Sequence, residues 1–198
     1  MKRISLATIF ACLMLALAAQ NAIKVNYKGA KPTISDFAWA FFSSFDDDEE
    51  ECGLEAINAF KQAFIEHRQG IQQENETFIV DEKNGYILYE WRYETIIGRM
   101  EMCYWNEADG KHKLFAYNNL ASFDENGPLV TETSGLTFFR YNNATKKMTQ
   151  CAPPGFEVDS DSSFALPRTG KSIIVTKWNK NGTKTEKALK WNGRRFSF

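Results

Sequence analysis

Few residues in this chain have the type and spacing for catalysis. There are two histidines, His67 and His112, and four cysteines. A thiol and an imidazole held together make a nucleophile and its base. Cys103 and His112 come into question because a turn over residues 107–111 would put them on neighbouring strands, so topology alone would bring them near. Glu90, Glu94 and Glu101 alternate along extended segments and could share a sheet face, as paired carboxylates do in glycoside hydrolysis. The same alternation is also that of an ordinary solvated sheet face. Arg168-Thr169-Gly170-Lys171-Ser172 ends like a phosphate-binding loop, but position 165 is Ala where that loop needs Gly. Ile173-Ile174-Val175 then reads as strand where a helix is required. No Gly-x-Ser-x-Gly elbow and no His-Glu-x-x-His motif occurs, and no catalytic residue is assigned.

Metal and cofactor chemistry has no better foothold. Asp46 to Glu51 is a run of six carboxylates. Calcium loops alternate ligands with spacers and turn on a Gly; this run instead leads into a helical pattern, whose positive N-terminal end favours acidic neighbours. Asp159 and Asp161 lack a Gly turn and a terminal Glu. The cysteine spacings do not resemble a zinc site. No cofactor and no metal are expected. The more informative excess is aromatic: Trp91, Trp105, Trp178 and Trp191 all fall on expected strands. Such rings build stacking surfaces for sugars or peptides, and they also fill cores. Exposure decides between the two.

The elements that must position these residues change period along the chain. Thr33-Ile34-Ser35-Asp36 resembles a capping box with Asp in place of Glu. Ile34, Phe37, Ala38, Phe41, Phe42 and Phe45 then recur as one face of an amphipathic helix. This is either a core element or, less blandly, a targeting helix for a partner. Leu54, Ile57, Phe60 and Phe64 continue a second helix, with stop signals between His67 and Gly70. From residue 77 the period becomes two. Phe78-Ile79-Val80 precedes the hairpin signal Asn84-Gly85. Strands follow over 86–94, 99–106, 111–123, 136–141, 146–151, 172–178 and 183–191, and Asn192-Gly193 turns the chain into 194–198. Residues 152–167, with Pro153-Pro154-Gly155 and Asp159 to Ser163, form the longest connection, and loops this long are commonly functional.

Helices followed by strands point to an α+β fold: two N-terminal helices packed on one face of a curved antiparallel β-meander of about seven to nine strands. Whether the sheet is open or nearly closes into a barrel stays undecided.

Several of these segments form a recognisable set: Trp105-Asn106, Asp109 to Leu114, Gly135 to Phe139, Asn143 to Met148, Ala165 to Lys171 and Leu189 to Phe196. Together, over residues 85–198, they resemble small exported bacterial proteins of uncharacterised function. These are hairpin and turn motifs, so the resemblance implies a periplasmic or cell-surface setting and no particular activity.

The N-terminus agrees. Met1-Lys2-Arg3 precedes an uncharged run from Ile4 to Ala19 that ends in small residues, the pattern of a cleavable signal peptide. Cleavage near Ala19–Ala22 makes 1–22 the signal and 23–198 a single domain. An uncleaved anchor is the alternative, although the run is short for a membrane span. Loss of Lys2 and Arg3 takes the formal charge from −1 to about −3, which is no footprint for nucleic acid. Sixteen Phe, seven Tyr and five Trp argue against disorder. Export permits a disulfide among Cys52, Cys103 and Cys151, with Cys103–Cys151 the favoured pair and three reduced thiols the alternative. The function expected is a non-enzymatic module binding a glycan, peptide or protein partner through its sheet face or the 152–167 loop. A hydrolase is the alternative.

Overall fold

A computed structural model of the chain describes residues 22–45, 54–93, 96–123, 131–159, 161–179 and 183–198. Residues 1–21 of the segment expected to be a signal peptide and the carboxylate run at 46–51 lie outside them, as do Cys52 and Glu94. Strand β1 (Ile23–Lys24) is followed by helices α1 (Ile34–Phe42) and α2 (Leu54–Arg68). Strands β2 (Glu76–Asp81), β3 (Tyr86–Tyr93), β4 (Ile96–Asn106), β5 (His112–Phe123), β6 (Thr131–Asn142) and β7 (Lys147–Cys151) run as an antiparallel meander. β1 returns to pair with β7, giving a curled seven-stranded sheet in the order β1-β7-β6-β5-β4-β3-β2. A second, four-stranded antiparallel sheet comprises β8 (Ser162–Ala165), β9 (Ser172–Trp178), β10 (Lys184–Trp191) and β11 (Phe196–Ser197).

Local chemistry accounts for these elements. Thr33 caps α1: its hydroxyl accepts from the Asp36 amide at 3.4 Å, and the Asp36 carboxylate accepts from the Thr33 amide at 2.8 Å. The β2–β3 turn has Asp81 accepting from the Asn84 amide at 3.1 Å, then Gly85 at φ 68°. That is a left-handed conformation which costs Gly little and other residues more.

The large sheet is buried on both faces. Ile87, Tyr89, Met100, Met102, Phe115, Tyr117, Phe139 and Tyr141 meet the helices, where Phe37, Phe41, Phe42, Phe60 and Phe64 are all buried. Phe41 lies 4.9 Å from Tyr117 and 5.4 Å from Phe139, ring centre to ring centre. Fully burying a Phe contributes about 1.5–3 kcal/mol, so α1 is a main part of the core and its apolar face is spent there. The opposite face carries Tyr86, Cys103, Trp105, Leu114, Ala116, Leu136 and Phe138. It packs against Phe164, Ile173, Leu189, Trp191 and Phe196 of the small sheet and its flanks.

This is the main departure from the sequence reading. A single sheet with one solvated face was expected; the last four strands instead fold into a separate sheet that covers that face. β8 also lies inside the 152–167 segment expected to be a loop. Among the described residues no helix is long and apolar enough to cross a membrane.

Candidate functional site

β6 is twelve residues long, and only Phe138–Asn142 pair with β7. Where β7 stops, the chain swings away through residues 152–158 and leaves a groove of about 810 Å³ beside β6. Leu136 and Phe138 form its apolar floor, Phe156 and Val158 its far wall, and Gln150, Cys151 and Ala152 its near rim. That size is in the range of ligand sites.

The far wall is anchored. The Phe196 amide donates to the Pro154 carbonyl at 2.8 Å. The Phe156 ring sits 5.9 Å from Phe138, 6.2 Å from Phe164 and 5.6 Å from Phe196. Gly155 lies at φ 95°, and a Cβ there would stand 2.5 Å from the Phe196 carbonyl oxygen, so the bend at 155 requires Gly. Phe156 and Val158 are half-buried while Glu157 and Asp159 are exposed. This alternation inside a loop is the sequence signal for the wall.

A buried polar network ties the two sheets together behind the groove. The Glu101 carboxylate, 1 % exposed, accepts from the Tyr86 hydroxyl at 2.8 Å, the Asn118 amide at 3.2 Å and the Leu166 backbone N–H at 3.0 Å. An Arg99 guanidinium nitrogen lies 2.9 Å from it. Asn118 also donates to the Phe164 carbonyl at 2.7 Å. Burial, reinforced by the Glu101 charge, pushes the Tyr86 phenol well above its usual range. Glu90 is half-buried and pairs across the strands with Arg99. The expectation that Glu90 and Glu101 share a face is therefore met by the pleat. However, Glu101 has its oxygens filled by protein donors and is closed to substrate, so this pair lacks the open cleft of a glycosidase.

The Cys103/His112 pair does not form. Cys103 stands opposite Ala116, and His112 lies four residues further along β5, about 13 Å away at the usual strand rise. Burial also drives the Cys103 thiol well above its usual range. His112 belongs to another group. Its Nδ1 lies 2.6 Å from the Asp109 carboxylate, and its Nε2 faces the Asn142 amide at 3.1 Å. The His112 hydrogen bond, with backbone amides, holds the Asp109 carboxyl down at about 2. Glu107, Asp109 and His112 bring their ligand atoms within 4.8 Å of one another, but Arg140 occupies the cation's place. Arg140 donates twice to Glu107, at 2.8 and 2.5 Å, and lies 3.6 Å from Asp109. The cluster is a closed ion-pair network at the β4–β5 turn.

Cys103, Ala116, Phe138 and Cys151 form one row across β4, β5, β6 and β7. The two cysteines are thus three strand spacings, about 14 Å, apart. A disulfide needs Cα atoms within about 7 Å. Both thiols are free, which corrects the favoured bridge. Cys151 looks into the groove, its thiol raised to about 11, chiefly by burial.

The tryptophans divide. Trp105 and Trp191 are 4 % and 7 % exposed, packed with Phe196 at 5.2 and 4.8 Å between ring centres. The Trp191 indole N–H donates to the Asn106 carbonyl at 3.2 Å. They are core residues rather than an exposed platform, because the small sheet closes over them. Trp91 is half-buried, stacked on Tyr89 at 5.1 Å and lying across Gly98 on the neighbouring strand. The Trp178 side chain lies outside the described residues. Trp39, which the strand-based reasoning passed over, is 42 % exposed beside Phe64. It falls off the 34/37/38/41/42/45 stripe, and that offset is the signal that could have found it.

The segment read as a near-miss phosphate loop is a turn into strand β9. Its Arg168 donates to Asp81 of β2 at 3.0 Å. Asp159 accepts from its own loop's Asp161 amide at 3.1 Å and lies 3.9 Å from Lys177.

No family model matches the chain, and comparisons with curated proteins and with solved structures return no match.

Proposed function

We propose that this protein is an exported binding module whose ligand site is the groove between the β6–β7 step and residues 152–158. The carrying observation is the groove itself: an open cleft of about 810 Å³ with an anchored wall, lined by apolar residues such as Leu136, Phe138 and Phe156 together with the polar Thr137, Gln150 and Glu157. A preformed site avoids the cost of ordering loops on binding. Export is supported by the charged start, the apolar run to Ala19 and the resemblance to small exported bacterial proteins. Two N-terminal helices on an antiparallel sheet form the rigid frame, and the second sheet fixes the wall through Phe196 and Pro154.

The test uses a neutral apolar fluorophore, N-phenyl-1-naphthylamine. Ala152 lies exposed on the near rim, so Ala152→Trp fills the groove from its edge. The wild-type protein is expected to bind the dye, and A152W to bind it at least tenfold more weakly with its melting temperature within a few degrees. Equal binding by both, or none by either, removes the groove as the site. Export is tested separately by sequencing the N-terminus of the protein recovered outside the cytoplasm. A start between residues 20 and 23 supports processing, and an intact Met1 contradicts it.

A further inference from the structure

We infer, resting on the groove as the binding site, that its ligand is a small amphipathic organic cation. Its ammonium group sits at the mouth beside Glu157, and its apolar body lies against Phe156 and Val158.

The charge of the lining supplies the first reason. Among the described residues it holds one carboxylate, Glu157, and no lysine, arginine or histidine. Glu157 is exposed, and its carboxylate has no hydrogen-bond or ion-pair partner among the described residues. Other carboxylates nearby are engaged. Glu107 and Asp109 hold Arg140, at 2.5 and 3.6 Å, and Asp159 lies 3.9 Å from Lys177. Glu157 therefore has its charge left for a guest.

The same pairings exclude the opposite sign. Arg140 stands two residues along β6 from Phe138, on the strand that floors the groove. Glu107 takes two of its hydrogen bonds, at 2.8 and 2.5 Å, so it offers no spare positive charge to an anion. A carboxylate or sulfate head group brought to this mouth would meet Glu157 and no free cation. Like charges set side by side count against a ligand as much as opposite charges favour one.

The wall supplies the third reason. Phe156 and Val158 are half-buried and flank Glu157 in the chain. Neighbouring Cα atoms are about 3.8 Å apart, so one small molecule reaches both the carboxylate and the apolar surface. The aromatic ring is a further partner for an ammonium group. An exposed ion pair is weak by itself. The apolar body thus supplies most of the affinity, and the charge supplies the choice between ligands of equal size.

The experiment uses octyltrimethylammonium, 1-octanol and octanoate, which share a tail and differ in the charge of the head. Each is titrated, fully dissolved as monomer, into protein loaded with N-phenyl-1-naphthylamine, and displacement of the dye is read by fluorescence. The ammonium compound is expected to displace it at about threefold lower concentration than octanol and about tenfold lower than octanoate, the scale set by exposed charge pairs. Glu157→Gln should shrink that spread to less than about twofold, and Glu157→Lys should put octanoate first. Raising the salt concentration should shrink the spread in the unaltered protein too, which tests the charge independently of any variant's stability. Equal displacement by all three, octanoate ahead in the unaltered protein, or a spread that E157Q leaves unchanged each overturns the cation proposal. Dye that binds and is lost in A152W then leaves the groove reading standing. If neither the dye nor any of the three compounds binds, the groove reading falls and takes this one with it.

Discussion

Replacing Glu101 by Ala removes the hub between the two sheets. The carboxylate accepts three hydrogen bonds from Tyr86, Asn118 and the Leu166 amide, and faces Arg99 at 2.9 Å. Alanine leaves the Leu166 N–H without a partner in a buried place and takes the carboxylate acceptor from the Tyr86 hydroxyl, which keeps only its contact with Arg99, at about 1–3 kcal/mol each. Asn118 loses one bond and keeps the one to Phe164. The Arg99 side chain is 34 % exposed and can turn toward water, so the lost ion pair adds little. Together these give a loss of about 3–5 kcal/mol, the range found when one partner of a buried pair is removed. For a domain of this size that lowers the melting temperature by roughly 6–20 °C. Urea denaturation measures it directly, with an unchanged slope showing that stability and not compactness has altered. E101Q retains an acceptor for Tyr86 and is expected to lose about half as much. Hydrogen exchange at residues 162–166 should accelerate in both variants, because those residues hang from the hub. A loss below about 1 kcal/mol for E101A, or exchange at 162–166 that does not change, would refute the idea that Glu101 joins the sheets.

Three further outcomes follow from named contacts. Asp109 has its folded-state pKa depressed to about 2, below the usual carboxylate value near 3.9. Its contribution is therefore present above about pH 4 and is lost as pH falls toward 2. An NMR titration should place its midpoint near 2, and a midpoint near 4 contradicts the His112 contact. At Gly98 a new Cβ would stand 2.0 Å from the Trp91 ring. G98A is thus expected to displace that indole, alter its fluorescence and cost about 1–3 kcal/mol of overpacking; an unchanged spectrum and stability sinks that placement. Peptide mapping without reduction should recover no Cys103–Cys151 cross-link, since the two lie three strands apart; finding that cross-link in the folded protein would contradict the strand order.

Much of the scaffold was legible in the sequence because it rests on local rules. Thr33 and Asp36 cap the first helix, Phe37, Phe41 and Phe42 mark its buried face, and Asn84-Gly85 turns the first hairpin. What escaped depends on contacts distant in sequence. The alternation of Tyr86 to Glu90 suggested one wet face, yet the run Leu114 to Tyr117 is apolar without a break, and Leu136 to Phe139 is interrupted only by Thr137. Such runs belong to strands buried on both sides, and they were the sign of the second sheet. The step that makes the groove was hidden in another way. The strand β6 was expected to start at Leu136. It extends back to Thr131 because β5 pairs with it throughout. β8 was hidden because Ser162 and Ser163 look like loop residues although both are buried. The candidate binding tryptophans Trp105 and Trp191 went to the core for the same reason: only the small sheet, folded over them, decides their exposure.

The most direct test of the groove is the set of amide NMR shifts that N-phenyl-1-naphthylamine moves. Changes centred on residues 136–138 and 150–158, absent in A152W, are the result expected if the groove is where this protein binds. Bound dye that leaves those residues unmoved and shifts others would place the binding surface elsewhere.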